Sequence, residues 1–146
     1  MQDRYFFKAK TARIVDTYNN AEDGVWVKGS LKEDCGKYTI FQFEFDRADY
    51  IPYEVDPETI CQCTGLKDKN GRVIWENDIV NGSIKRGAAF YRCLVLWNEC
   101  KARFDVRARD CNFPMTLDER ADDISMSGFD YEVVGNKFDN PELLEE

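Results

Sequence analysis

The chain has 146 residues, of which 43% are hydrophobic and 14% aromatic, a composition typical of one globular domain with its own core. It contains no histidine, which excludes Ser–His and Cys–His nucleophiles and any zinc site that needs an imidazole ligand. The net charge of −8 disfavours nucleic acid as the main partner, because proteins that grip phosphate backbones are normally basic over their contact face.

The first part of the chain predicts short strands joined by tight turns. Residues 5–10 and 26–31 form a predicted hairpin, and residues 12–16 are predicted to continue or restart its first strand. Gly24 is suited to a positive φ angle in the turn between the strands. Residues 39–46 alternate strictly and place Phe41, Phe43 and Phe45 on one face. We expect that face to be buried; the alternative is an exposed phenylalanine ladder, which would mark an interface.

Two prolines interrupt the chain between its strand-rich halves. Asp56 is the predicted N-cap of one helical turn with Pro57 at its first position, and Pro52 lies just before it. We therefore interpret residues 1–146 as a single domain with a soft subdivision near residues 49–56.

The second half continues the pattern of short strands. Residues 60–66 and 72–75 are predicted to pair across a turn, a corner at residues 76–78 follows, and residues 91–97, 101–109 and 131–134 are further strands. A glycine-bounded loop is predicted over residues 82–87, and Thr116 with Glu119 predicts a capped acidic helix through residue 123. The chain is thus expected to be all-β, with a small partly open barrel, SH3-like in its C-terminal part by analogy, and an N-terminal β-hairpin region.

The six cysteines are an even number, which is compatible either with disulfide bonds or with reduced thiols. The N-terminus lacks an apolar signal region and no stretch approaches the length of a membrane span, so we expect a cytoplasmic protein with free thiols. The close pair Cys61 and Cys63 would share one face of a strand, and we interpret both as small buried hydrophobic side chains that bind no metal. No cofactor is predicted.

The strand over residues 101–109 is the best sequence candidate for binding an anion. Its basic positions and a nearby tryptophan are Lys101, Arg103, Arg107, Arg109 and Trp97. Asp105 is predicted to face outward with the basic groups, and Phe104 and Val106 inward. Such a face could follow phosphates while Trp97 and Tyr91 stack on bases, although an ordinary solvated strand face explains the same pattern.

Acidic residues are frequent after residue 117, at positions 118, 119, 122, 123, 130, 132, 139, 142, 145 and 146. A surface of this sign can imitate DNA and inhibit a host factor, or it can serve solubility alone.

Several segments together resemble the YopX family of phage and prophage proteins. They are D-P-E-T at residues 56–59, T-G-L-K-D-K-N-G at 64–71, W-E-N-D-I-V at 75–80, E-V-V-G-N at 132–136 and N-P-E-L-L at 140–144, while G-V-W-V-K-G at 24–29 fits an element of one branch. The resemblance implies no established activity. It singles out residues of unknown role: Thr64, Gly65, Lys67, Asp68, Asn70, Gly71, Trp75 and Asp78. Asn77 stands where the family usually has glycine, and we predict a positive φ there, because asparagine tolerates the left-handed conformation better than most residues.

These observations favour a protein of the bacterial cytoplasm that acts by binding and is not an enzyme. The leading hypothesis is an interaction module with a protein partner, or a homo-oligomer that self-associates through aromatic strand faces. The alternatives are a nucleic-acid-associated barrel that uses the basic strand and an acidic DNA mimic. No membrane partner is predicted.

Overall fold

A computed structural model of the protein describes residues 6–12, 24–84, 90–108, 115–117 and 129–145. These residues form antiparallel strands and two short 3₁₀ helices, with no closed barrel among the described strands. The all-β class predicted from the sequence is confirmed. No helix in these ranges combines the length and apolarity that crossing a membrane requires. The chain divides into two compact units, Met1–Cys63 (unit 1) and Thr64–Glu146 (unit 2).

Unit 1 contains β1 (Phe7–Lys10), β2 (Trp26–Asp34), β3 (Lys37–Glu44), β4 (Asp49–Glu54), a 3₁₀ helix (Pro57–Thr59) and the start of β5 (Cys61–Lys67). The strand order is β4-β3-β2-β1-β5, and each neighbouring pair is antiparallel. The predicted hairpin of β1 and β2 is confirmed, and Gly24 has the expected positive φ of 80°. Residues 13–16, predicted to continue the first strand, lie outside the described residues.

The ends of β1 and β4 meet beyond the regular strands of unit 1. Thr11 bridges Val55, the Ala12 amide donates to the Glu54 carbonyl, and the Asp56 amide donates to the Lys10 carbonyl, both at 2.9 Å. The core beneath this sheet consists of Ala9, Val27, Ile40, Tyr53 and Val55. The sheet therefore curls around these residues instead of remaining flat.

The predicted cap of the short helix at Pro57 is confirmed. The Asp56 carboxylate accepts a hydrogen bond from the Glu58 amide at 3.0 Å, and Pro57 occupies the first helical turn. Asp49–Glu54 is a strand of unit 1, and the division between the two units falls between Cys63 and Thr64, downstream of the subdivision expected near residues 49–56.

Unit 2 contains the rest of β5, then β6 (Val73–Trp75), β7 (Asp78–Ile84), β8 (Phe90–Asn98), β9 (Arg103–Ala108), β10 (Met115–Thr116), β11 (Phe129–Asn136) and a 3₁₀ helix (Pro141–Leu144). Its five-stranded sheet has the order β10-β9-β8-β7-β11. The core includes Ile74, Val80, Val95, Val106 and Val133.

Three local predictions for unit 2 need correction. Gly82 belongs to β7 and not to a loop, and the rest of that predicted loop, residues 85–87, lies outside the described residues. Thr116 lies in β10 and not at a helix N-terminus, while residues 118–123 are not described. Lys101 and Ala102 form a turn before β9, where Ala102 is exposed and has a φ of 49°.

Candidate binding surfaces

The phenylalanine face of β3 is exposed, contrary to the expectation that it is core. Phe43 is 39% exposed and Phe45 is 87% exposed, whereas Ile40 on the other face is fully buried. Ile40 lies directly opposite Leu31 of β2 and Tyr53 of β4, and side chains opposite each other in an antiparallel pair share a face. The neighbouring strands therefore turn the even-numbered positions of β3 inward. The alternative of an exposed phenylalanine ladder is correct for Phe43 and Phe45, whereas Phe41 is half-buried.

These side chains form a cluster that we call the aromatic patch, defined as Phe43, Phe45 and Tyr50. The Phe43 ring lies 5.0 Å from that of Phe45 and 5.2 Å from that of Tyr50, both in edge-to-face geometry. Tyr50 is 59% exposed and is the register partner of Phe43. Aromatic pairs prefer this edge-to-face arrangement, so the three rings form one contiguous patch.

A polar network supports the strand from its inner face. The Tyr53 hydroxyl donates to Glu44 Oε1 at 2.8 Å, and Gln42 Nε2 donates to the same oxygen at 3.0 Å. Gln42 Oε1 in turn accepts from the Lys28 amide at 2.9 Å. Burial raises the pKa of Tyr53, and the hydrogen bond to Glu44 raises this pKa further. The network explains how polar residues occupy the inner side of β3.

Strand β4 lies at one end of the strand order in unit 1 and carries Pro52 at its centre, opposite Phe41. A proline has no amide hydrogen to donate, so it discourages the addition of another strand at such an edge. The edge of β4 is therefore poorly suited to pairing with a further strand.

The basic strand differs from its prediction in two respects. Asp105 is 1% exposed instead of facing solvent, and its carboxylate accepts hydrogen bonds from Arg103 Nε and Asn98 Nδ2, each at 2.7 Å. Arg103 is thus bound to an acid of its own strand, whereas Arg107 and Lys101 are exposed. Arg109 lies outside the described residues.

Trp97 is not brought together with these basic groups. It is the register partner of Phe104 and contacts that ring at 5.0 Å, while Arg103 is the partner of Asn98. Since successive residues of a strand point to opposite faces, Trp97 and Arg103 lie on opposite faces of the sheet. Tyr91 lies on the same face of the sheet as Trp97 and not on the face that carries the arginines. Over the described parts of β8 and β9, the arginines therefore do not share a surface with Trp97 or Tyr91.

The family-motif residue Asp68 has a structural role in unit 2. Its Oδ1 accepts from the amides of Asn70 and Arg72 at 2.9 and 2.8 Å, and its Oδ2 accepts from the Val133 amide at 3.0 Å. Burial acts to raise the pKa of Asp68, but the three amides and the charge of Arg72 outweigh it and hold the pKa below its usual value. Asp68 therefore joins the turn of the first motif block to the strand of the C-terminal block.

Other motif residues also satisfy backbone groups. The Thr64 hydroxyl donates to the Ile74 carbonyl at 2.6 Å and accepts from the Leu66 amide, which ties β5 to β6. Asp78 Oδ2 accepts from the amide of the buried Trp75 at 2.8 Å and closes the corner before β7. These contacts explain the motif as part of the fold.

The turns of the motif demand residues that accept a positive φ. Gly65 and Gly71 have φ angles of 79° and 82°, and Asn77 has 69°, as predicted for the position where the family usually has glycine. Lys67 and Asn70 are exposed at the surface of this block.

The C-terminal motif block folds back on itself. Asn136 Oδ1 accepts from the amides of Phe138 and Asp139, and Asn140 Oδ1 accepts from the Asn136 amide. A Cβ atom at Gly135 would lie 2.5 Å from Asn140 Oδ1, so the close approach requires glycine there. Leu143 and Leu144 are half-buried, as expected for a docked terminal turn.

None of the five described cysteines forms a disulfide: Cys61, Cys63 and Cys93 are buried, and Cys35 and Cys100 are exposed. Cys111 lies outside the described residues. Within the described ranges, no group of three or more cysteine, aspartate or glutamate residues is arranged to hold a metal ion.

The acidic positions of the proposed DNA mimic are only partly described. Residues 118, 119, 122, 123 and 146 lie outside the described ranges. Glu132 forms an ion pair with Lys69 at 3.4 Å, and Asp139 accepts a hydrogen bond from Asn136 Nδ2. These two carboxylates therefore already have partners within unit 2.

Sequence reasoning missed Tyr50, which completes the aromatic patch, and the burial of Asp105. For Tyr50 the sequence held a usable signal, because Tyr50 and Pro52 alternate with Ile51 and Tyr53 along one strand. For the burial of Asp105 the sequence held only part of the signal: Arg103 lies two residues away on the same face of β9, but Asn98 is brought to the carboxylate only by the pairing of β8 with β9.

A comparison with curated proteins found no match. A model of the YopX protein family matches residues 8–145, which is nearly the whole chain. The two motif blocks that carry the resemblance also meet in space, through Asp68 and Val133. The chain therefore belongs to the YopX protein family.

Proposed function

We propose that this protein is a non-catalytic interaction module that self-associates through the aromatic patch on its β3–β4 hairpin. The observation that carries the proposal is the exposure of Phe45, at 87%, beside Phe43 and Tyr50. Single exposed hydrophobic side chains are common, but three contacting rings at one place mark an interaction surface.

The energetics of the patch favour a protein contact. Aromatic side chains bury about 150–250 Å² each when they are fully covered, and they are enriched among the residues that dominate interface energies. The rings already hold each other in place, so little side-chain freedom remains to be lost on binding. The patch is therefore preorganised for a complementary apolar surface.

The turn at the tip of this hairpin carries charges of both signs. Asp46, Arg47 and Asp49 are all exposed there. In a two-fold interface the same surface meets itself, so a rim of mixed charge can pair across the axis where a rim of one sign would repel. This supports a second copy of the chain as the partner.

The wider setting is inferred from the family. Its resemblance to phage and prophage proteins supports a phage or prophage origin and action in the cytoplasm of a bacterial host. The motif residues most typical of the family have structural roles in unit 2, which supports binding and not catalysis as the activity.

The proposal is tested by Phe45→Asp with Tyr91→Asp as the matched control, since Tyr91 is an exposed aromatic of unit 2, 51% exposed. Light scattering over a range of concentrations should show an assembly for the wild type and the control, and a smaller species for Phe45→Asp. Circular dichroism should show all three folded. A wild type that stays monomeric, or an assembly that survives Phe45→Asp, contradicts the proposal.

The two alternatives have less support. Arg107 and Lys101 remain available to a nucleic acid on β9, but Arg103 is paired with Asp105 and Trp97 lies on the other face. The DNA mimic rests on the net charge of −8 without a described continuous acidic surface.

A further inference from the structure

Strand β11 ends its sheet and is the longest of the edge strands. Among the described strands, β4, β6, β10 and β11 lie at the ends of the strand orders, and they have six, three, two and eight residues. An edge strand presents amides and carbonyls to which a strand of another molecule can add. Because β4 carries Pro52 and because β6 and β10 are very short, β11 is the edge that most needs protection.

The turn of residues 68–72, which we name the covering turn, lies against this edge. The Lys69 amide donates to the Tyr131 carbonyl at 2.9 Å, and Asp68 Oδ2 accepts from the Val133 amide at 3.0 Å. Alternate residues of an antiparallel strand direct their main-chain groups to opposite neighbours, so these groups of β11 point away from β7. Lys69 also forms an ion pair with Glu132 at 3.4 Å. The covering turn therefore occupies the place that a further strand would take.

The chemistry of this contact ends the sheet. A strand extends a ladder because it supplies both an amide donor and a carbonyl acceptor at every second residue. The covering turn supplies one amide, from Lys69, and one carboxylate, from Asp68, and a carboxylate accepts but cannot donate. The other oxygen of that carboxylate is bound by the amides of Asn70 and Arg72. Hydrogen bonding therefore stops at Val133, where the register of β11 with β7 also shifts.

Strand β11 would keep its place in the sheet if the covering turn opened. Its pairing with β7 runs from Phe129 to Asn136 and does not involve the turn, and Tyr131 and Val133 belong to the core of unit 2. Two identical strands can pair antiparallel about a two-fold axis, because each then supplies the donors and acceptors that the other needs. The edge of β11 therefore fits the same edge of a second copy of this chain.

We propose that the edge of β11 is a latent association surface that the covering turn keeps closed, and that opening the turn lets β11 pair with β11 of a second copy. This surface is separate from the aromatic patch: it lies in unit 2 and uses main-chain hydrogen bonds. Asp68 of the family motif thereby has a second role, because it blocks strand addition as well as satisfying backbone amides.

The test uses Phe45→Asp as the parent chain, so that the aromatic patch does not contribute to association. Adding Asp68→Asn keeps an oxygen for the two amides of the turn but directs an NH₂ group toward the Val133 amide, which opens the edge. Light scattering should show an apparent mass that rises with concentration toward that of a dimer, while the parent stays monomeric. The Val133 amide should exchange its hydrogen quickly in the dilute variant and become protected again in the dimer, because strand pairing supplies a new acceptor.

The matched control is Val95→Ala in the same parent, since it weakens the same core from β8, two strands away from β11 in the strand order. At an equal temperature below its own thermal midpoint it should stay monomeric, which separates strand pairing from aggregation of unfolded chains. If Asp68→Asn does not fold, Gly71→Ala opens the turn more gently, because alanine is strained at a φ of 82° and meets nothing within 4 Å there.

Three results would overturn the proposal. The first is a folded Asp68→Asn or Gly71→Ala chain that stays monomeric at every concentration. The second is a Val95→Ala chain that associates to the same extent. The third is an assembly in which the Val133 amide still exchanges as quickly as in the dilute variant.

Discussion

Replacing Asp68 by asparagine tests whether the family motif is a structural element of unit 2. The carboxylate accepts three backbone hydrogen bonds, two at Oδ1 and one at Oδ2. The asparagine oxygen can take over the first two, but its NH₂ group would then face the Val133 amide, which is another donor. The variant therefore leaves a buried amide without an acceptor and removes the charge that strengthened the other two bonds.

The expected loss follows from these contacts. An unsatisfied buried group costs about 1–3 kcal/mol, and hydrogen bonds to a charged group contribute about 1.5–3 kcal/mol each, of which asparagine retains a part. We expect Asp68→Asn to reduce the free energy of unfolding by about 2–4 kcal/mol at neutral pH. Urea unfolding followed by tryptophan fluorescence measures this, since Trp75 and Trp97 belong to unit 2. Asp46→Asn removes the same charge from an exposed turn and should change stability by less than ~0.5 kcal/mol.

The pH dependence provides a second check. The fold lowers the pKa of Asp68 below its value in the unfolded chain, which is about 3.9. The carboxylate therefore contributes stability that is complete above the pKa of the unfolded chain and is lost as the pH falls through the lower pKa of the folded protein. The difference in stability between wild type and Asp68→Asn should therefore shrink in acid. A variant within ~0.5 kcal/mol of wild type at pH 7, or a difference that does not narrow in acid, would refute the reasoning.

Three further predictions concern the backbone and the thiols. Gly29→Ala should lower the free energy of unfolding by about 2–3 kcal/mol, because the new Cβ would lie 1.9 Å from the Phe41 carbonyl oxygen. Gly36→Ala meets nothing within 4 Å and should lose only the ~1–2 kcal/mol that its positive φ costs alanine. Equal urea midpoints for the two variants would contradict this. Asn77→Gly should be tolerated or mildly stabilising, since glycine adopts its φ of 69° without strain, and a loss above ~1 kcal/mol in the same assay would point to a side-chain bond. Thiol titration after denaturation without reductant should find all six cysteines, and two or four missing thiols would indicate disulfides.

Local chemistry made part of the fold predictable. Asp56 followed by Pro57 indicated a capped turn because an N-cap side chain and a proline at the first position act within three residues. Asn77 was predicted to have a positive φ because asparagine tolerates that region better than most residues. The motif blocks identified the family for the same reason: they are dense in residues that turns require, and these can be read without knowing the contacts across the chain.

The surfaces, in contrast, depend on pairing between distant strands. The alternation in β3 was clear in the sequence, but a pattern of period two leaves two faces to choose from, and one residue of register decides between them. Ile40 pairs with Leu31 and Tyr53 and is buried with them, which leaves Phe43 and Phe45 exposed. The sequence by itself determined the family, the all-β class and most of the strands and turns. Tertiary structure alone decided which aromatic and basic side chains meet solvent, because burial depends on the register of neighbours that lie many residues away in the chain.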